Sequence, residues 1–250
     1  MNLNPQQLGG GVGASPIQIA RHGGRQYQRA NGLRILETHP NRTVVDLTAI
    51  KHVAATYNAL PDHDPAAVPA FRALAEETKR QFEHLTRPVH KGGMGFDVNV
   101  SREDPYDTSK PGGTRELFND IANRKVTVLS TATTGGHPVF SNDENNMFRA
   151  VHDVFGHAGT GRGVDRHGEE AAYRRHATMF SPLARQALAS ETRGQNHAMI
   201  NAGGQFQDQK IVIMPAHVRR FAFVAPRTAD ALHTSMTQAR QFHQNQGLDR

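Results

Sequence analysis

The sequence predicts an α+β fold that is mostly helical in its second half, and three observations carry that expectation. Apolar residues recur every three or four positions through residues 66–85, 144–155 and 183–191, the repeat of a helix face turned to a core. Only two short stretches alternate as strands do, "GFDVNV" (95–100) and "KVTVLS" (125–130). With 23 glycines, 13 prolines and 37% apolar residues, the 250-residue chain must wrap its core in much irregular backbone.

Taken in order, the glycine-rich residues 1–25 ("LGGGVGASP", "RHGGR") predict a flexible N-terminal tail, and residues 26–250 a single metal-binding catalytic domain. "RILE" and "RTVVDLTAI" (34–50) read either as short strands or as the entry to a helix running through Tyr57. The "PDHDP" turn opens a helix over 66–85 with Phe71, Leu74, Ala75, Thr78, Phe82 and Leu85 on one stripe. A short helix over Arg115–Ala122 separates the two strands. Nothing repeats internally.

Composition excludes several functions. With no cysteine there are no disulfides, iron–sulfur clusters or thiolate zinc sites, so any metal is held by nitrogen and oxygen. No apolar run approaches the ~20 residues that span a bilayer, and no secretory signal opens the chain, which predicts a cytoplasmic protein without a membrane partner. The net charge of +6, with fifteen histidines besides, suits a polyanionic substrate or a nucleic acid as well as a small molecule.

The segment "VHDVFGHAGTGRG" (151–163) carries the strongest chemical signal. Ser141 and Glu144 form a capping box that starts a helix, and Phe148, Val151 and Phe155 define its apolar stripe. His152 lies about 40° from Phe148, at the edge of that stripe, but His157 follows five residues later, roughly 140° round an ideal helix. Gly156, Gly159, Gly161 and Gly163 dismantle the helix there. A widened π turn or a frayed end brings the two imidazoles to one site.

Ser181-Pro182 starts another helix, with Leu183, Ala184, Ala187 and Leu188 buried. Glu191 falls in the middle of that stripe, where a carboxylate needs compensation by a cation or by an arginine such as Arg193. One reading makes it a structural ion pair. The other joins it to His152 and His157 as a two-histidine, one-carboxylate facial triad, which holds Fe(II) or another divalent metal and leaves coordination positions open.

"HDVFGH" resembles the H-[ED]-x-x-G-H segment of the pterin-dependent aromatic amino acid hydroxylases. The resemblance covers roughly residues 140–205. It implies a metal site between helices, with His152 and His157 in the histidine places and Glu191 of "SETRGQN" in the glutamate place. It also implies a pterin, although tryptophan is absent, and no arginine stands where the family holds its substrate's carboxylate. The block from "FRAVHDVFGH" to "ETRGQN" is similar to a family of bacteriophage and actinobacterial proteins with no assigned reaction; a phage origin would place the protein in the host cytoplasm.

Around the triad, Gln195 lies one turn after Glu191 and shares its face, within reach of a substrate. Glu169 and His176, on one face of the intervening helix, and Asp153, beside His152, either orient a ligating imidazole by hydrogen bonding or form a polar rim. Arg162, Arg166, Arg174 and Arg175 surround the glycine loop as a solvated basic face or an anion site. The leading functional expectation is a mononuclear non-haem iron oxygenase, a hydroxylase. The alternatives are an HD-like metal-dependent phosphohydrolase, and a nucleic-acid-binding or virion-associated protein with a structural metal.

Overall fold

The computed structural model describes residues 13–106 and 113–220. Helices dominate, and two strands pair in parallel, the α+β composition that the sequence predicts. None of the described helices is long and apolar enough to cross a membrane.

Helix α1 spans Pro16–Ala30 and alters the expected domain boundary. Ser15 caps it in a full capping box with Gln18, and proline fills the first turn. Ile19, Ala20, Gly23, Gly24, Tyr27 and Gln28 are buried. Residues 16–25 of the expected tail are thus an amphipathic helix, and residues 1–12 lie outside the described chain. Of the glycines that suggested a flexible tail, Gly23 and Gly24 are contact points: a β-carbon on Gly24 would lie 3.6 Å from Phe155, within van der Waals range.

Of the two readings of residues 34–50, the helix is the one found. Helix α2 (Leu47–Ala59) begins at Asp46, whose carboxylate accepts from Ala49 N at 2.7 Å. Helix α3 (Val68–Thr86) buries Phe71, Leu74, Ala75, Thr78 and Leu85 along its predicted stripe. Strand β1 (Asp97–Ser101), helix α4 (Gly113–Ala122) and strand β2 (Lys125–Leu129) form a β–α–β unit, with Asp97 paired to Lys125 and Ser101 to Leu129. A crossover helix is what parallel pairing of neighbouring strands requires.

Helix α5 (Asn142–Val151) starts at the Ser141–Glu144 capping box and continues directly into a π-helical stretch, His152–Ala158. Helix α6 (Arg166–Ala177) packs on that stretch. Helix α7 (Ala184–Leu188) runs into a second π-helical stretch, Ala189–Gly194, and then into α8 (Gln195–Asn201). Ser181 Oγ accepts from Ala184 N at 3.3 Å and so caps α7. A short α9 (Ala216–Arg219) follows. Three apolar clusters hold these elements: α1 and β2 against α5, α3 against α6 and α7, and α2 against α8.

Candidate metal centre

The π turn settles the geometry of the histidine pair. A π-helix winds more residues into each turn than an α-helix, so the five-residue offset that scatters two side chains on an ideal helix returns them to one face. The His152 and His157 rings lie 5.1 Å apart, edge to face. A carboxylate joins them, but it comes from α6. One potential ligand atom each from His152, His157 and Glu169 lies within 4.8 Å of the other two, with Glu169 Oε1 3.5 Å from His157 Nε2.

Hydrogen bonds fix which imidazole nitrogen is free to bind. Gln81 Nε2 donates to the Met179 carbonyl at 3.2 Å, which turns Oε1 toward His176 Nε2 at 2.8 Å. A carbonyl oxygen accepts only, so His176 carries its proton on Nε2 and leaves Nδ1 as an acceptor. His152 Nδ1 lies 3.1 Å from that nitrogen and must supply the proton between them. His152 Nε2 is left with a lone pair. His157 Nδ1 stands 3.1 Å from Gly163 O and 3.3 Å from Arg162 O, both acceptors, so it too is protonated on Nδ1 and bare on Nε2. Each imidazole is thus held in the tautomer a metal needs.

The carboxylate is supported as well. Glu169 Oε2 accepts from Asn196 Nδ2 at 2.6 Å, which leaves Oε1 turned to the histidines. The neighbouring Glu170 faces the other way and forms a buried, two-pronged ion pair with Arg193, whose Nε reaches Glu170 Oε2 at 2.9 Å. Arg193 also lies over the Tyr173 ring, 4.5 Å from its centroid, and donates to Val218 O and Arg219 O. The pair locks α6 against the second π turn and so sets the direction of Glu169. Gly168 completes the construction. A β-carbon there would sit 1.8 Å from Gly163 O, the carbonyl that takes His157's proton, so only glycine permits that approach.

Burial shapes the charge of the site. It holds the His152 imidazole well below its ordinary pKa, helped by His157 and His176. It pushes His176 down to about 3, reinforced by Arg175. It drives the Glu169 carboxyl up to about 8, with Asp165 adding to the shift, and Asp153 up to about 6. An uncharged His152 imidazole near a carboxyl that gives up its proton only with difficulty forms a site that a divalent cation would compensate.

The other sequence-expected site residues lie elsewhere. Glu191 is buried but stands outside the donor group, 3.2 Å from His137 Nε2, with Gln209 Nε2 at 3.4 Å. His137 Nδ1 accepts from the backbone of Val139 and Phe140, so its proton is on Nε2, facing Glu191 in a close electrostatic contact. That contact is not a hydrogen bond, and the buried His137 Nε2 has no hydrogen-bond partner among the described residues. Glu169 takes the place in the donor set that Glu191 was expected to fill, because α6, not the second π turn, packs on the histidine pair. Gln195 donates to the Gln207 carbonyl at 3.1 Å. Arg162 and Arg166 reach the carbonyls of Pro40 and Val45. Asp153 lines a pocket of about 300 Å³ beside His152, with Arg149, Phe148, Tyr106, Leu117 and Val164 around it.

Gln81 and Asn196 carry no sequence signal as site residues, and only the fold shows what they hold. Glu169 was legible as a companion of His176, two helical turns away on the same face. No family model, curated protein or solved structure matches the chain.

Proposed function

We propose that this protein is a mononuclear metal enzyme of the two-histidine, one-carboxylate class, with His152, His157 and Glu169 as ligands. The observation that carries the reading is the coincidence of three donors within 4.8 Å and two independent hydrogen-bond arrangements that bare the Nε2 of both imidazoles. Nitrogen and carboxylate donors in this ratio suit iron(II). Three protein ligands leave positions open for dioxygen and a substrate, and iron bound there would supply the oxidising chemistry of a hydroxylase.

The chain's own residues define the rest of the site. The 300 Å³ pocket gives His152 a small-molecule-sized approach, walled by Phe148, Leu117, Val128 and Val164. Arg149 and Asp153 are its polar groups next to the metal ligand, placed to orient a bound molecule. Asp153 does not join the donor group among the described residues, which disfavours the HD-type phosphohydrolase, where the aspartate beside the histidine is a ligand. A structural zinc site closes with four ligands, and three are found among the described residues.

Anaerobic reconstitution tests the reading. The chain loaded with iron(II) should hold one equivalent and consume dioxygen, whereas the manganese form should release no phosphate from generic phosphoesters. Phosphate release dependent on manganese, or an iron content unaffected by His152→Ala and His157→Ala, would overturn it.

A further inference from the structure

A second cavity, of about 600 Å³, lies between α1 and the turn that follows α3. Arg21, Arg25, Arg29 and Arg124 line it together with His22, Gln18 and Gln26, and among the described residues no acidic one does. We propose that this groove is a nucleic-acid-binding site that grips the phosphodiester backbone of a strand. The inference is independent of the metal centre.

Three features support a repeating anion as the ligand. Arg21, Arg25 and Arg29 follow one another at four-residue intervals, so their origins rise ~6 Å per step along one side of α1 and form a row. The guanidinium groups are oriented yet available. Arg21 uses Nε on Gly159 O at 2.9 Å, and Arg124 donates through one terminal nitrogen to Met94 O, leaving further N–H groups on each. Arg25 meets Glu37 in a pair whose side chains are 45% and 66% exposed, a contact weak enough for a phosphate to replace. Finally, the walls are fixed to each other. His84 Nε2 lies 3.0 Å from Gly23 O on α1, while the His84 carbonyl accepts from Met94 N at 2.9 Å on the opposite wall.

The lining also selects among polyanions. Among the described residues no phenylalanine, tyrosine or tryptophan faces the groove, so they offer bases no stacking platform and the contact is to the backbone, without sequence preference. A bilayer surface suits it poorly, because the groove is concave and Val89 alone of the large exposed apolar side chains lines it.

Fluorescence anisotropy with a labelled single-stranded 12-mer provides the test. Four phosphate contacts at about 0.7 counterion each predict a log–log salt slope near −2.8, or about 50-fold weaker binding at 200 mM than at 50 mM salt. Arg25→Gln with Arg29→Gln should halve the slope to about −1.4 and leave only about a 7-fold salt effect. Both positions are exposed, and an unchanged circular dichroism spectrum and thermal unfolding curve will establish that the variant is folded. The charge-matched pair Lys51→Gln with Arg72→Gln, outside the groove, should keep the wild-type slope, and oligo-dT and oligo-dA should bind alike. Equal losses in the two double variants, no binding at 50 mM salt, or groove-dependent binding to phosphatidylserine vesicles without binding to the oligonucleotide would each overturn the proposal.

Discussion

Gln81→Met perturbs the candidate metal centre from two residues away. Gln81 touches neither donor histidine; it accepts the Nε2 proton of His176, which in turn accepts from His152. Methionine is similar in size but offers no comparable acceptor, so the buried His176 N–H is left unpaired at a cost of ~1–3 kcal/mol. The cheapest relief moves the His176 proton to Nδ1. That sets two N–H groups face to face at 3.1 Å unless His152 shifts its own proton to Nε2, the nitrogen proposed to bind metal. A metal must then reverse both shifts, so affinity should fall roughly 5- to 150-fold, in line with the 10- to 100-fold typical of outer-shell partners. Calorimetric titration with zinc measures the loss, and nitrogen-15 shifts of the histidines report the tautomers directly. Gln81→Glu keeps an acceptor facing His176 and should preserve the His152 tautomer. Wild-type affinity in a folded Gln81→Met protein would refute the relay.

Other expectations follow from the same geometry. In metal-free protein Glu169 keeps its proton to about pH 8, whereas the unfolded chain releases it near 4.5. The native state therefore binds more protons in that window, and stability should fall as pH rises, by about 2 kcal/mol between pH 6.5 and 8. Urea denaturation at several pH values checks this, and Glu169→Gln should flatten the slope. Glu170→Ala strands the buried Arg193 guanidinium and should lower stability by ~3–5 kcal/mol, read from the same titration. Gly168→Ala must displace the Gly163 carbonyl that holds His157, so both stability and zinc affinity should drop, by ~1–3 kcal/mol in stability. Removal of residues 1–25 deletes the buried Ile19 and Ala20 and the Arg21–Gly159 bond, and should lower the melting temperature markedly; an unchanged melting curve would contradict the packing of α1.

Local chemistry made much of this legible. The Ser141–Glu144 box, the Phe71-to-Leu85 stripe and the two alternating strands are patterns of neighbouring residues, and neighbours determine them. The glycines after His152 marked a backbone able to leave α-helical winding, and a π turn is what forms. Tertiary choices were less accessible. From the sequence only Glu191 stood as the carboxylate ligand, with Glu169 read as a supporting group, and ideal helix angles show that Glu191 faces a core without showing which neighbour it meets there. Its π-wound segment meets His137, while α6 delivers Glu169. Gln81 lies 95 residues from His176, so no spacing rule connects them. In α1 the same Gly23-Gly24 pair serves flexibility in a tail and close contact in a packed helix, and only burial tells the two apart.

The central claim is that Glu169, and not Glu191, completes a site with His152 and His157. Metal content after anaerobic reconstitution and desalting, compared between Glu169→Ala and Glu191→Gln, tests it most directly. Glu169→Ala should retain less than about a tenth of the wild-type metal, since two imidazoles alone hold a divalent ion poorly. Glu191→Gln keeps an amide oxygen facing His137 and should keep one equivalent of metal, and any change in stability should be the same with and without metal. Full occupancy in Glu169→Ala together with loss of metal in Glu191→Gln would contradict the account.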